Sequence, residues 1–158
     1  MYQLDEISKL VDRCDAFLKG QKITNPEIEN IMTCYLLVHI CGEYEKLIKS
    51  SIVERATSVG DDDLAKYLST KAFRPIRSLF LSELTDNILK NFGQSYVDSF
   101  ELKKKTLGDK AITSYSNIVT NRHRTAHGQP INYTFKDLVA STEDSNHVVN
   151  ALLEVLAP

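Results

Sequence analysis

From Thr24 to about Val59 the chain carries one continuous helical pattern, and between Ile31 and Cys41 that pattern is apolar on nearly every side. It opens on Thr24-Asn25-Pro26-Glu27, a capping side chain followed by a first-turn proline and a carboxylate at the capping-box position. A helix that is apolar all round must be covered all round. This segment is therefore expected to be the central and most buried element, with the rest of the chain packed about it. Ile28, Ile31, Tyr35, Val38, Gly42 and Glu45 share one side, where Gly42 would let another backbone come close.

The remaining segments repeat the period of 3.6. Tyr2 to Lys19 places Leu4, Ile7, Val11, Cys14 and Leu18 on one face and stops at Gly20. Asp61-Asp62-Asp63 caps a short helix to about Lys71, and Phe73-Arg74-Pro75 breaks it. Ile76, Leu79, Phe80, Glu83, Leu84, Ile88 and Leu89 predict another helix, closed by Gly93. Ser95 to about Lys105 is a further segment, and Leu107-Gly108-Asp109 is the turn and cap before the next. Ile131-Asn132-Tyr133 reads as a loop, Thr134 as a helix start, and Val148 to Leu156 as the closing apolar face. No stretch sustains period-two alternation, so the expectation is an all-α bundle of about six to seven helices, residues 1–158 forming a single domain. No repeat or linker divides it.

At 158 residues the chain can bury a sizeable core, and a formal charge of −2 means that any nucleic-acid contact must come from a local patch. No apolar run reaches the length of a membrane span and the N-terminus lacks a secretory signal, which predicts a cytoplasmic protein. Cys14, Cys34 and Cys41 are odd in number and without paired spacing, and are read as reduced, packed thiols.

The densest cluster of ionisable nitrogen is Asn121-Arg122-His123-Arg124-Thr125-Ala126-His127-Gly128, the end of a helix stopped by glycine with Pro130 beyond. Ile112, Tyr115, Val119, Arg122 and Ala126 form its packed stripe, so Arg122 stands where an apolar side chain is expected. A guanidinium aimed into a seam needs an anion, because leaving it unpaired costs several kcal/mol on the order of magnitude known for buried charges. Glu43 and Glu45 are the expected protein partners, and a bound phosphate is the other choice. His123 lies at one edge of the stripe, His127 further round, and Arg124 faces water. In a regular helix Arg122 and His127 stand about 140° and about 7.5 Å apart, so a bent arginine, a distorted turn or a second subunit is needed for both to reach one group. His123 and His127 also have the spacing of two metal ligands, but no third ligand is suitably placed. His39 is expected in the core, and His147 at the surface or a helix end.

The run Arg122-His123-x-x-Ala126-His127-Gly128, late in a helical domain, resembles the HEPN superfamily, whose mark is R-x(4 to 6)-H with a polar residue after the arginine. Together with Gly42-Glu43-Tyr44-Glu45 in the long helix it looks most like the RiboL-PSP-HEPN group. That resemblance implies a metal-independent endoribonuclease without cofactor, a toxin or anti-phage effector. It would attack RNA through the 2′-hydroxyl in a cleft shared by two copies, a homodimer through the motif helix. Arg122 would grip phosphate, His127 would transfer protons and His123 would transfer or orient them, with Asn121, Glu43 and Glu45 in support. Arg124, Lys103, Lys104 and Lys105, with Arg74 and Arg77, are candidate RNA contacts, the alternative being a solvated face. An antitoxin or defence-complex partner is also implied. In members modified by a nucleotidyltransferase antitoxin a tyrosine stands two residues after the histidine; here Gln129 does, and Tyr133 is displaced. A catalytically silent nucleotide- or RNA-binding HEPN module is the alternative function.

Overall fold

The computed structural model describes residues 2–20, 25–72 and 78–157. The elements are α1 (Tyr2–Gly20), α2 (Pro26–Ser58), α3 (Asp62–Tyr67) running into a π-helical turn (Leu68–Ala72), α4 (Leu81–Leu84), a second π-helical turn (Thr85–Leu89), α5 (Lys90–Phe92), α6 (Gln94–Ala126) and α7 (Phe135–Leu156). No strand occurs among the described residues, so the chain is all-α. The helix ends follow local chemistry. Asn25 caps α2, its side chain accepting from the backbone N–H of Glu27 at 3.0 Å and of Ile28 at 3.4 Å. Thr24 itself lies outside the described residues. Asp61 caps α3 through the N–H of Leu64 at 2.8 Å, and Thr134 and Asp137 form a reciprocal capping box on α7.

Two expected boundaries shift. The helix predicted from Ile76 begins only at Leu81, with Phe80 an extended residue at its N-terminus, so Leu79 and Phe80 lie in the connecting segment. Arg74, Arg77, Ile76 and the Phe73-Arg74-Pro75 break lie outside the described residues. The turn expected at Leu107-Gly108-Asp109 is a break inside α6 at Gly108, whose φ of 80° and ψ of 169° leave the helical region. A glycine tolerates that conformation without a Cβ clash.

α6 and α7 pack along each other and α2 crosses both, while α1 closes the side shared by α2 and α7. Leu36, Leu37, Ile40, Tyr44 and Ile48 of α2 meet Phe100, Tyr115 and Ile118 of α6 and Leu138, Val149 and Leu152 of α7 in one buried core. Tyr44 and Tyr115 stack at 6.1 Å between centroids. A polar knot ties three helices together: the Tyr44 hydroxyl donates to Asn146 Oδ1 at 2.7 Å and shares a bond with Ser145 Oγ at 3.0 Å, and the Asn146 amide reaches Ser8 Oγ at 3.0 Å and the Leu4 carbonyl at 3.4 Å. At the far end of α2, Arg55 donates to the carbonyls of Leu156 and Ala157 and to the Tyr96 hydroxyl. That contact fastens the C-terminal end of α7.

The expectation that α2 is covered on every side is corrected. Its face bearing Leu36, Leu37, Ile40, Cys41 and Tyr44 is buried, but Ile28, Ile31, Tyr35 and Val38 are 44%, 61%, 59% and 45% exposed, and Gly42 is exposed with them. His39 is half-buried, not in the core, and stacks on Tyr35 at 5.9 Å. His147 is exposed, as expected, and the three cysteines are free thiols. No helix among the described residues is long and apolar enough to cross a membrane.

Candidate functional site

The terminal turns of α6 run regularly to Ala126, with His127 as the capping residue and Gly128 at φ 65° just past it. That left-handed glycine is the stop that the sequence places there. The stripe on this part of α6 buries Tyr115, Ile118 and Val119, and Arg122 follows them inward to half-buried depth, whereas Ala126 is exposed. Arg122 and His123 line one small pocket with Cys41 and Glu45 of α2, Val119 of α6, and Ser78, Leu79 and Phe80 of the connecting segment. The helical pattern had placed Leu79 and Phe80 on the apolar face of a helix, not at a site, and had not marked Ser78. The overlooked signal is an aromatic side chain directly before a helix that no polar side chain caps.

That segment is held from behind. The buried Tyr115 hydroxyl donates to the Leu79 carbonyl at 2.6 Å, and Ser78 Oγ accepts from the Phe80 N–H at 3.2 Å. Phe80 is thereby set against His123, ring centroids 5.9 Å apart and tilted by 58°. His123 in turn packs on His127 at 4.4 Å between centroids. His123 thus stands both in the pocket that Arg122 lines and against the ring of His127.

The expected partnership of Arg122 with Glu43 or Glu45 does not form. Glu43 pairs with Lys46 at 3.4 Å and Glu45 with Lys49, each within α2. Glu43 faces the groove between α1 and α2, beside Arg13 and His39. Glu45 does line the Arg122 pocket, but it is committed to a lysine one turn away, a contact that costs little chain ordering. Among the described residues, the buried side-chain polar atoms without a hydrogen-bond partner are two, Arg122 Nε and Asn121 Oδ1, adjacent in the motif. Asn121 is buried and gives its amide to the Asn117 carbonyl at 2.9 Å, so its contribution is to the helix rather than to the pocket. Burial pushes the Cys41 thiol up to about 12, with the Arg122 charge working against that shift and Glu45 adding to it. Cys41 is therefore a neutral wall of the pocket, not a nucleophile.

The remaining candidates lie elsewhere. Arg124 is exposed near the motif, on the side of α6 away from its buried stripe. Lys103, Lys104 and Lys105 precede the Gly108 break, which alone is about 21 Å of helix from Arg122. Lys103 pairs with Glu154 and Lys104 with Glu101, and the Lys104 ammonium also lies over the Phe100 ring at 5.6 Å. These lysines are not brought to the pocket. Among the described residues no three His, Cys, Asp or Glu side chains converge as a metal site.

A family model described as RiboL-PSP-HEPN matches residues 2–157, nearly the whole chain. No match is found among curated proteins or among solved structures.

Proposed function

The chain belongs to the RiboL-PSP-HEPN family, and from that premise we propose that this HEPN-type domain, a nuclease-like or RNA-binding module, cleaves RNA where the pocket of Arg122 and His123 adjoins His127. One observation carries the reading: a half-buried guanidinium shares a pocket with His123, on which His127 packs, and its Nε is left without an acceptor. Leaving a buried donor unmet costs about 1 to 3 kcal/mol or more for a charged group. A phosphodiester oxygen supplies the missing acceptor and the counter-charge together.

In the reaction that follows, the RNA 2′-oxygen attacks the adjacent phosphorus and the bond to the leaving 5′-oxygen breaks, giving a 2′,3′-cyclic phosphate and a 5′-hydroxyl. One imidazole accepts the 2′-hydroxyl proton and another delivers a proton to the 5′-oxygen, the general base and general acid that the reaction needs. Arg122 binds the non-bridging oxygens, where negative charge builds in the transition state. His127, at the exposed end of the helix, is the proton-transfer group that reaches substrate. His123, held between Phe80 and His127, orients it or shares the transfer. A toxin or anti-phage role, with an antitoxin or defence complex as partner, is the setting for such an activity.

The test is incubation of the purified protein with single-stranded and hairpin RNA in excess chelator. Cleavage to cyclic-phosphate ends, lost in both Arg122→Ala and His127→Ala, is expected. Equal cleavage by either variant overturns the proposal, and binding without cleavage leaves an RNA-binding module.

A further inference from the structure

We infer that Phe80 is the platform for the RNA base beside the linkage held at Arg122, an inference that rests on the reaction proposed above and names the residue that selects its substrate. The pocket that Arg122 lines offers about 20 Å³ of free space. One water takes on the order of 10 to 15 Å³ of such space, so the pocket receives a single phosphate oxygen and neither sugar nor base. The nucleoside on that phosphate therefore lies against the rim. Cys41, Leu79 and Val119 are buried in the walls, Glu45 carries a carboxylate paired with Lys49, and His123 is an imidazole with a part in the reaction. Phe80 is left as the flat apolar face, half-buried and not sealed in the core.

The backbone that carries this ring is fixed on both sides of it. The Phe80 N–H donates to Ser78 Oγ at 3.2 Å, its carbonyl accepts from the Leu84 N–H at 2.9 Å, and the Leu79 carbonyl before it is held by the Tyr115 hydroxyl at 2.6 Å. An aromatic side chain has few rotatable bonds, and one mounted in this way meets a ligand with little further loss of freedom. Its position is not explained by the helix it precedes. Phe80 stands at the N-terminus of α4 with φ −60° and ψ 137°, where serine, threonine or aspartate would cap, and it makes no capping bond. It meets His123 at a tilt of 58° with centroids 5.9 Å apart, so the two rings do not cover one another as a parallel stack would.

Few of the described cations serve RNA phosphates here. Arg124 is exposed near the motif, whereas Lys103, Lys104 and Lys105 are not brought to the pocket and Lys49 is paired with Glu45. Stacking then carries much of the grip, and it works through the face of a base. A paired base has both faces covered by its neighbours in the helix. The Phe80 platform therefore takes unpaired RNA and tolerates any base, since each has such a face.

The chain has no tryptophan, so Phe80→Trp sets its sole indole at the rim. A short single strand with 2′-fluoro sugars, which lacks the attacking hydroxyl, is titrated in, and stacking is read as quenching of the indole emission. Quenching is expected from the single strand and none from the same sequence as a duplex. By fluorescence anisotropy of the labelled strand, Phe80→Leu should raise the dissociation constant about tenfold and leave its salt dependence unchanged. Arg122→Leu should instead flatten the slope of log affinity against log salt by about 0.7, the loss of one phosphate contact. Leucine keeps an apolar side chain in the gap, so a residue needed for packing alone would leave binding unmoved. No quenching, equal quenching by the duplex, or binding by Phe80→Leu as tight as wild type overturns the inference. Cleavage by a protein that fails these tests would leave the ribonuclease reading standing without the platform; quenching in a protein that cleaves nothing would end that reading and keep Phe80 as the platform of an RNA-binding module.

Discussion

Tyr44 and Cys41 are one turn apart on α2, and each looks into a polar cluster, but the two clusters are finished differently. Around Tyr44 the hydroxyl, Ser145 and Asn146 satisfy one another across three helices, and the Asn146 amide finds two acceptors on α1. Around Cys41 the Arg122 Nε is left without an acceptor, and the nearest carboxylate, Glu45, is given to a lysine. A closed network makes one arrangement of the helices better than its rivals. An open one stores unmet electrostatic demand, which a ligand can answer. Sites of function are where a chain departs from local consistency.

The contrast can be broken most forcefully at Arg122. Arg122→Leu should lower RNA cleavage by about a hundredfold or more, the scale of lost charge stabilisation in a transition state. The same variant should hold or raise the melting temperature, since it removes an unpartnered buried group. A fall in both activity and stability would show that Arg122 is a structural residue. Tyr44→Phe should do the opposite, costing about 1 to 3 kcal/mol in denaturant unfolding by stranding its acceptors, with the cleavage rate per folded molecule unchanged.

Tyr115→Phe falls between them. Losing the bond to the Leu79 carbonyl should cost about 1 kcal/mol and also reduce cleavage, because the Phe80 segment loses its anchor behind His123. Activity equal to wild type would remove Phe80 from the account of the site. The smallest effect belongs far from both clusters, at the start of α7. Thr134→Ala should cost about 1 kcal/mol by urea unfolding. Hydrogen bonds from Thr134 hold the Asp137 carboxyl below the usual aspartate range, so its contribution is present above that range and is lost as pH falls through the lowered value. Asp137→Asn should flatten that acid limb of the stability profile.

Much of this fold could be read directly from residue order. Helix periods, Asp61, Thr134 as a helix start, Gly108 and the glycine after His127 act within a turn or two, and their local chemistry decided the outcome. What could not be read depended on which of several satisfactory neighbours a group would choose. Glu43 and Glu45 took lysines three and four residues away instead of a distant arginine, because local pairs require little ordering of the chain. Ile31 and Val38 looked like core because periodicity reports that a face is apolar and not what covers it. Within the candidate site, Arg122 and the histidines stood out through their clustering, whereas Phe80 and the Tyr115 anchor behind it arise from a tertiary contact spanning 36 residues.

The left-handed residue at Gly108 separates the 33 residues assigned to α6 into two independently aimed rods. The forward rod is tethered to α7 through Lys103 and Glu154, and the rear one carries Arg122 and His123 in its last turns. A side chain at Gly108 would meet no atom within 4 Å of its Cβ yet would be strained at φ 80°, so the angle at which the histidine-bearing rod departs rests on that glycine.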